Sequence, residues 1–251
     1  MRLKGRHALV TGGGTGIGAA IARALAAEGA RVTLVGRRRE PLEAVAAKTG
    51  AFVAPADVTV RAEVHAAFAA ARAANGPIAI LVNNAGFAQS APFADTSADL
   101  WRRTMAVNLD ALLHCCQAAL PDLLAAEAGR IVTIASTAAL QGFAYTAAYT
   151  AAKHGALGLT RALAAELAKT KVTVNAVCPG FTDTPLLERS VAEIVRTTGR
   201  SPEAAREMLA RMNSNGHIVA PEEVAAAVVR LCLPESAAVT GQAMLVGGEA
   251  A

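Results

Sequence analysis

Residues 7 to 18 read His7-Ala-Leu-Val-Thr-Gly-Gly-Gly-Thr-Gly-Ile-Gly18. A short, mostly apolar run precedes the glycines, and an Ala-rich amphipathic stretch follows them. This order predicts a strand at His7–Thr11, a tight turn and a helix at Gly16–Glu28. Glycines let a backbone turn sharply, and the following helix offers free amides and the positive end of its dipole to an anion. The stretch therefore opens a βαβ unit and predicts a site for the pyrophosphate of a dinucleotide.

The same alternation of short β-like runs and helical patterns continues along the chain. It predicts an α/β fold with a Rossmann-type, doubly wound, parallel seven-stranded sheet, helices on both faces and a single domain over residues 1–251. The predicted strands are His7–Thr11, Arg31–Val35, Ala51–Ala54, Ile78–Asn83, Arg130–Ser136, Val172–Cys178 and Ala243–Val246. The predicted helices are Gly16–Glu28, Glu40–Lys48, Arg61–Ala74, Ser97–Glu127, Tyr149–Lys169 and Pro221–Leu233.

Composition argues against several classes of protein. The 251 residues are 53% hydrophobic and have a net charge of +4, and the basic residues are scattered, so no nucleic-acid partner is predicted. Uncharged apolar stretches stay shorter than about 18 residues, so no membrane span is expected. The four cysteines form no Cys-x-x-Cys pair and have no His partner at metal spacing, and the early first strand leaves no room for a signal peptide. We therefore expect a cytoplasmic protein that needs no metal.

A second informative stretch runs from Ile131 to Lys153. A predicted strand ends on the hydroxyl of Ser136, and Tyr149 begins the next helical pattern. Tyr149 and Lys153 are four residues apart, so a helix would place them one turn apart on one face. A phenol has an ordinary pKa of about 10, and a neighbouring cation favours the phenolate, so the pair could exchange a proton with a carbonyl or alcohol oxygen. Ser136 could hold that oxygen, although such a pair on a helix is more commonly a plain surface pair.

The second predicted strand leads into Gly36-Arg37-Arg38. An NAD-binding protein usually offers a carboxylate here to the ribose hydroxyls, whereas a guanidinium can bind a 2′-phosphate in a bidentate manner. Arg37, with Arg38 in support, therefore predicts NADP(H) in preference to NAD(H). The alternative is a solvated run of charge.

Polar residues follow the next predicted strands. Asp57 could accept a hydrogen bond from an adenine amino group, or it could cap the helix that begins near Val60. Asn84 could bridge backbone segments or contact the ligand directly. Asn108 lies inside a predicted helix, where it is either a tolerated polar residue or the mark of a local break.

Taken in order, these motifs resemble the classical short-chain dehydrogenase/reductase family over essentially the whole chain. The matching residues are Thr11-Gly12-x-x-x-Gly16-x-Gly18, Asp57-Val58, Asn83-Asn84-Ala85-Gly86, Asn108, Ser136, Tyr149-x-x-x-Lys153 and Pro179-Gly180. Two positions depart from the pattern: Thr15 stands where family members that use NADP often have Lys or Arg, and Gly247 stands where many relatives have Asp. The predicted preference for NADP(H) therefore rests on Arg37 and Arg38.

The resemblance implies an NADP(H)-dependent oxidoreductase that interconverts a ketone and a secondary alcohol, with Tyr149 as general acid or base. It implies that Lys153 lowers the pKa of Tyr149 and holds the nicotinamide ribose. Ser136 would orient the substrate oxygen, and Asn108 would anchor a water molecule. The implied cofactor contacts are Gly12, Thr15, Gly16, Ile17, Gly18, Arg37, Arg38, Asp57, Val58, Asn84, Ala85, Gly86, Tyr149, Lys153, Pro179, Gly180 and Thr182.

The variable region, about residues 181–216, is predicted to form a lid of two helices, Pro185–Thr197 and Ser201–Met212. Its arginines could meet a phosphate of an acyl carrier or coenzyme A, or they could form a solvated outer face. The candidate substrate-pocket residues are Ala138, Phe143, Tyr145, Phe181 and Leu186. A 3-oxoacyl thioester or 3-hydroxyacyl-CoA is the first substrate hypothesis, and a small, aromatic, polyketide or steroid ketone is the alternative. The resemblance also suggests a homotetramer paired through the Ser97–Glu127 and Tyr149–Lys169 helices.

Two other classes of protein share parts of this pattern. A dinucleotide sensor or scaffold would keep the fold without turnover, but it would not require intact Ser136, Tyr149 and Lys153. A sugar-nucleotide epimerase or dehydratase shares the Tyr–Lys pair but usually has a larger C-terminal substrate domain. Only 82 residues follow Lys169 (251 minus 169), so chain length disfavours that class.

Overall fold

The computed structural model describes residues 1–247, which contain a parallel sheet in the order β3-β2-β1-β4-β5-β6-β7. The strands are β1 His7–Thr11, β2 Arg31–Gly36, β3 Phe52–Pro55, β4 Ile80–Asn83, β5 Arg130–Ile134, β6 Thr173–Pro179 and β7 Ala243–Val246. This confirms the predicted doubly wound sheet. Residues 248–251 of the predicted domain lie outside the described residues.

Helices cover both faces of the sheet because successive strand residues point to opposite sides. The helices are α1 Gly16–Ala27, α2 Arg39–Thr49, α3 Arg61–Asn75, α4 Ala98–Met105, α5 Ala111–Ala125, α6 Ala147–Glu166, α7 Pro185–Thr198, α8 Pro202–Ala210 and α9 Pro221–Cys232. On one face Val10 packs in a core with α1 and α9, and on the other its neighbour Leu9 packs with α3 and α5. Among the described residues, no helix is long and apolar enough to cross a bilayer.

The order of the strands determines where the binding crevice lies. β1 lies between β2 and β4, and its pairing with β4 includes Leu9 opposite Leu81 and Val10 opposite Val82. The direction of winding therefore changes at β1, which opens a crevice at the carboxyl ends of these strands. The glycine turn after β1 and the Asn83-Asn84 pair at the end of β4 meet at this crevice.

The prediction of one helix over Ser97–Glu127 was wrong. The segment forms α4, a π-helical turn at Ala106–Asp110 and then α5. Asn108 in this turn donates from Nδ2 to the backbone oxygen of Thr104 at 2.9 Å and to that of Phe87 at 2.7 Å. Of the two interpretations of Asn108, the local break therefore applies.

Helix α6 also differs at its ends from the predicted Tyr149–Lys169, since it covers Ala147–Glu166. It stops because the backbone N–H and the hydroxyl of Thr170 both donate to the Leu167 oxygen and close a turn. Because α6 begins at Ala147, Tyr149 lies within its first turn.

The predicted lid contains two helices, as expected, although α8 is shorter than Ser201–Met212. Thr184 and Ser201 cap α7 and α8 by accepting hydrogen bonds from the backbone N–H groups of Leu187 and Ala204. Gly199, with φ of 68°, ends α7 in the left-handed conformation. Buried Leu187, Val191, Ala205 and Leu209 form a small separate core, against which Phe181 packs.

Candidate active site

Ser136, Tyr149 and Lys153 converge where β5 and α6 meet. Ser136 lies two residues after the end of β5, and its hydroxyl is close enough to the Tyr149 phenol to act on the pKa of that phenol. Ser136 Oγ also accepts from the backbone N–H of Ala138 at 3.1 Å. Lys153 Nζ lies 5.6 Å from the centre of the Tyr149 ring and donates to the Ile134 oxygen at 2.9 Å. The three side chains that the sequence singled out are therefore neighbours.

Burial dominates the protonation of this group. It raises the pKa of Tyr149 to about 12, against the opposing effect of the hydrogen bond from Ser136. It lowers the pKa of Lys153 to about 8. This direction is opposite to the lowered phenol pKa that the resemblance implied, because the loss of hydration outweighs the effect of Ser136. Near neutral pH the phenol keeps its proton.

Asn108 holds the loop that follows β4. Its Nδ2 donates to the Phe87 oxygen, and its Oδ1 accepts from the Phe87 N–H at 3.3 Å. Gly86 lies between Asn108 and Lys153: a β-carbon on Gly86 would be 3.3 Å from Asn108 Oδ1 and 4.0 Å from Lys153 Nζ. The π-helical turn thus brings Asn108 next to Lys153. Its part in anchoring water stays a prediction.

The glycine turn is built around very close backbone contacts. A β-carbon on Gly18 would overlap the Gly12 oxygen, so only glycine fits at that position. Asn84 Nδ2 donates to the backbone oxygens of Thr11 and Gly12 at 2.9 and 3.2 Å. Asn84 therefore bridges backbone segments, which was one of its two predicted roles, and Ala85 N–H donates to Thr11 Oγ1 at 3.0 Å.

The N-terminus of α1 is suited to an anion. Thr15 is the N-cap residue, but its side chain accepts no hydrogen bond from the first turn. The first amides of a helix lack partners within the helix and attract negative charge. Ile17 packs on the core, while Gly16 lies against Thr184, the residue that caps the first lid helix. The lid therefore begins beside the glycine turn.

Arg37 and Asp57 follow neighbouring strands and form a loose ion pair, with Arg37 Nη1 3.9 Å from Asp57 Oδ2. Asp57 does not cap α3, because the N-cap position is Val60 and Asp57 Oδ1 accepts from Thr59 instead. Partial burial alone would raise the pKa of Asp57, but the hydrogen bonds from Thr59 and the charge of Arg37 bring that pKa below its ordinary value. Arg38 is exposed at the start of α2 and has no carboxylate partner within residues 1–247.

The predicted pocket residues fall into two groups. The rings of Phe143 and Phe181 meet edge to face, with centroids 6.2 Å apart and planes at 80°. Ala138 is buried beside Ser136, and Leu186 is half-buried in the first turn of α7. Tyr145 differs, because its side chain is 66% exposed and its backbone has a φ of 65°. The structure thus brings the two phenylalanines together and leaves Tyr145 at the surface.

Several arginines of the lid form ion pairs with carboxylates. Arg196 pairs with Glu193, and Arg211 pairs with Glu207. Arg206 contacts Glu188 and binds Asp183 at 2.7 Å. This pattern favours a solvated outer face over a phosphate site for these three side chains. Within residues 1–247, no group of three or more His, Cys, Asp or Glu side chains is arranged to hold a metal ion.

Sequence reasoning missed one buried polar residue beside the site. Asn213 lies in the turn after α8, and its side chain binds the backbone of Phe181. An Asn-Ser-Asn-Gly stretch indicates only a turn, so no local pattern pointed to Asn213. A contact over 32 residues is visible only in the folded chain.

Comparison with known proteins identifies the family. The family model described as short chain dehydrogenase matches residues 6–194. The chain belongs to this family. D-beta-hydroxybutyrate dehydrogenase of Cupriavidus necator is 38% identical over 91% of this chain and 91% of the relative. 2-(S)-hydroxypropyl-CoM dehydrogenase 3 of Xanthobacter autotrophicus is 39% identical over 98% of this chain and 97% of the relative.

A solved structure extends the comparison. Actinorhodin polyketide ketoreductase, crystallised as a variant with NADPH, matches this short-chain dehydrogenase with a TM-score of 0.93. It is 38% identical in sequence, and the match covers 97% of this chain and 96% of that one. The protein is therefore an oxidoreductase that acts on alcohol and carbonyl groups. Since the names of these three relatives give three different substrates, family membership leaves the substrate open.

Proposed function

We propose that this short-chain dehydrogenase is an NADP(H)-dependent ketone reductase, equivalently a secondary-alcohol dehydrogenase, in which Tyr149 carries the proton. The observation that carries the proposal is the meeting of Ser136, Tyr149 and Lys153 beside the loop that follows β4. When bound, NADPH supplies a hydride to the carbonyl carbon, and NADP⁺ accepts it in the reverse direction.

The residues present fit a dinucleotide. The close backbone of Gly12 and Gly18 and the uncapped start of α1 support a pyrophosphate site. Arg37 and Arg38 would bind the 2′-phosphate, although Arg37 would have to share its charge with Asp57. We assign the other contacts as the resemblance implies: Thr15, Gly16, Ile17, Val58, Asn84, Ala85, Gly86, Lys153, Pro179, Gly180 and Thr182.

The protonation of the site suits reduction. Ser136 would hold the carbonyl oxygen by donating its hydroxyl proton. Tyr149, whose pKa is raised to about 12, is protonated at neutral pH and can donate its proton to that oxygen. The Lys153 ammonium and the N-terminal dipole of α6 would then stabilise the phenolate. Asn108 would support the path by which the phenol is reprotonated.

The pocket supports a ketone with an apolar substituent. Phe143, Phe181 and Leu186 offer carbon surface, with Ala138 buried behind Ser136, and the pairing of the lid arginines weakens the case for phosphate recognition there. A 3-oxoacyl thioester or 3-hydroxyacyl-CoA remains the first candidate, with a small, aromatic, polyketide or steroid ketone as the alternative. We also propose a cytoplasmic homotetramer, which exposed Leu113 and Leu124 on α5 support.

A turnover assay that follows NADPH oxidation tests the proposed reaction. Purified protein should oxidise NADPH when given a ketone or 3-oxoacyl thioester, and Tyr149→Phe should lower kcat by about 10²- to 10⁴-fold while NADPH still binds. A sensor or scaffold would bind NADPH, turn over no ketone and show no response to Tyr149→Phe. That outcome would contradict the proposal.

Paired fluorescence titrations with NADPH and NADH test the cofactor preference. The wild-type protein should bind NADPH more tightly, and Arg37→Asp should weaken NADPH binding while sparing NADH, because a carboxylate repels the 2′-phosphate. Arg39→Ala is the control, since Arg39 pairs with Glu43 on α2. Tighter binding of NADH by the wild type would remove the argument from Arg37 and leave the catalytic assignment intact.

A further inference from the structure

Asn213 joins the C-terminal end of the lid to the turn that follows β6. Its side chain is only 5% exposed. Oδ1 accepts from the Phe181 N–H at 2.8 Å, and Nδ2 donates to the Phe181 oxygen at 2.9 Å and to the His217 oxygen at 2.7 Å. One amide thus satisfies both backbone groups of Phe181.

The surrounding backbone is shaped to receive this amide. A β-carbon on Gly180 would overlap Asn213 Oδ1, so any side chain there would displace the amide. Val219 holds the same segment from another side: its N–H donates to the Phe181 oxygen, and its oxygen accepts from Asp183, both at 2.9 Å. The end of the lid therefore fixes residues 180–183 through backbone hydrogen bonds rather than by loose packing.

The fixed segment carries two residues assigned to the site. The ring of Phe181 forms the edge-to-face contact with Phe143, which follows Ser136 on the other side of the crevice. Thr182 is buried, and its hydroxyl donates to the Gly180 oxygen at 2.9 Å. A shift of the Phe181 backbone would move the apolar wall and Thr182 together.

An equivalent arrangement exists across the site. Asn108 accepts from the Phe87 N–H and donates to the Phe87 oxygen, as Asn213 does for Phe181. Each asparagine therefore pairs with the backbone of one phenylalanine in a loop at the carboxyl edge of the sheet. Asn108 holds the loop after β4, and Asn213 holds the turn after β6.

We propose that Asn213 is a positioning residue of the reductase: it acts through Phe181 and places the apolar wall beside the reacting carbonyl, and it holds Thr182 on the cofactor side of the same segment. This inference rests on the proposed function. Asn213 touches neither of the proton-carrying side chains, so its effect lies in where the ketone sits and not in the proton transfer itself.

Asn213→Ala tests the proposal, with Asn215→Ala as the matched control in the same turn. Asn215 is exposed, and its side chain accepts from the His217 N–H at 3.3 Å. For a ketone with a bulky apolar substituent, Asn213→Ala should lower kcat/KM by about 10- to 100-fold, because a misplaced reactant loses its attack geometry. NADPH affinity should fall by a smaller factor than kcat/KM, because most of the assigned cofactor contacts lie outside residues 180–183, and Asn215→Ala should match the wild type.

Asn213→Asp separates positioning from mere folding. The aspartate keeps the oxygen that faces the Phe181 N–H, but its second oxygen faces the carbonyl oxygens of Phe181 and His217. Those neighbours disfavour the carboxylate, and a protonated carboxyl can donate to one of them. The activity of this variant relative to wild type should therefore recover as the pH falls, whereas that of Asn213→Ala should not.

Three results decide the matter. If kcat/KM per NADPH-binding site is unchanged in Asn213→Ala, or if the relative activity of Asn213→Asp does not respond to pH, the positioning role is overturned. If the wild type reduces no ketone, the proposed function fails, and hydrogen exchange then tests the asparagine directly. In that test the amides of residues 181–183 should exchange faster in Asn213→Ala than in Asn215→Ala, and equal rates would also overturn the inference.

Discussion

The two tyrosines of this chain lie four residues apart in very different surroundings. Tyr149 lies at the start of α6 against Ser136 and Lys153, whereas the side chain of Tyr145 is mostly in solvent. Burial raises the pKa of the Tyr149 phenol to about 12 and lowers that of the Lys153 amine to about 8. At neutral pH the residue that must give a proton holds one, and the residue that must be charged is still largely protonated. Sequence spacing predicted their proximity but not this direction, because burial depends on the packed fold.

Because there is no third tyrosine, the pKa of Tyr149 can be measured directly. In Tyr145→Phe, the ultraviolet change on ionisation comes from Tyr149 alone. The cofactor-free variant should titrate near pH 12, well above the ordinary value of about 10. Circular dichroism in the same titration verifies that the protein is still folded at each point. A midpoint at or below about 10 would show that the Lys153 cation outweighs burial, as the family resemblance implied.

At the scale of elements, the π-helical turn is a feature that the hydrophobic pattern of the sequence could not predict. The Ala-rich periodicity runs from Ser97 to Glu127 without a glycine, so a single helix was the natural expectation. Asn108 was the local sign of the break at residues 106–110, and its side chain bonds to the backbone of Phe87 and Thr104 at once. The partner Phe87 lies 21 residues away, and periodicity carries no information about such a contact.

Asn108→Ala should therefore destabilise the protein as well as the site. The variant leaves the half-buried Phe87 N–H without its partner and removes both donations from Nδ2. We expect the free energy of unfolding, measured in urea, to fall by about 1–3 kcal/mol. Asp110→Ala, at an exposed position of the same turn, should stay within about 0.5 kcal/mol of wild type. Equal losses in both variants would mean that the turn is held by its backbone and not by the Asn108 side chain.

At the scale of the whole molecule, the sheet explains why scattered motifs meet. Parallel strands end at a common edge, so residues that follow β1, β4, β5 and β6 come together although they lie far apart in the chain. Strand ends can be recognised from local pattern, which is why the predicted catalytic residues proved to be neighbours. Interactions such as that of Asn213 with Phe181 connect two loops, and the pattern of strands in the sequence does not predict them. The opposite edge of the sheet carries its own buried polar network, centred on His7.

His7 is 1% exposed at the start of β1, and both of its ring nitrogens have partners. Nδ1 lies 2.7 Å from the Gly76 oxygen, which can only accept, so Nδ1 carries the proton. Nε2 then accepts from the hydroxyl of Thr33 at 2.9 Å, and that hydroxyl in turn accepts from Asn75 at 3.0 Å. If Nε2 were protonated, its N–H would face the hydroxyl proton of Thr33, and two donors would meet without an acceptor between them. Burial is the largest cause of a lowered His7 pKa, and the hydrogen bond to Gly76 opposes it.

This lowered pKa predicts how the stability of the molecule depends on pH. In the unfolded chain His7 takes up a proton near pH 6.5, whereas in the folded protein its pKa is lower. The free energy of unfolding should therefore decrease as the pH falls below about 6.5. The decrease should end once the pH has passed the folded-state pKa. His7→Asn keeps a donor for Gly76 without a group that titrates there. Urea unfolding at a series of pH values should give a shallower acid slope for His7→Asn than for wild type, along with lower stability near pH 8. Four other histidines are common to both proteins, so the difference between the curves isolates His7. Parallel curves would mean that His7 is protonated as readily in the folded protein as in the unfolded chain, and the network would then not couple folding to pH.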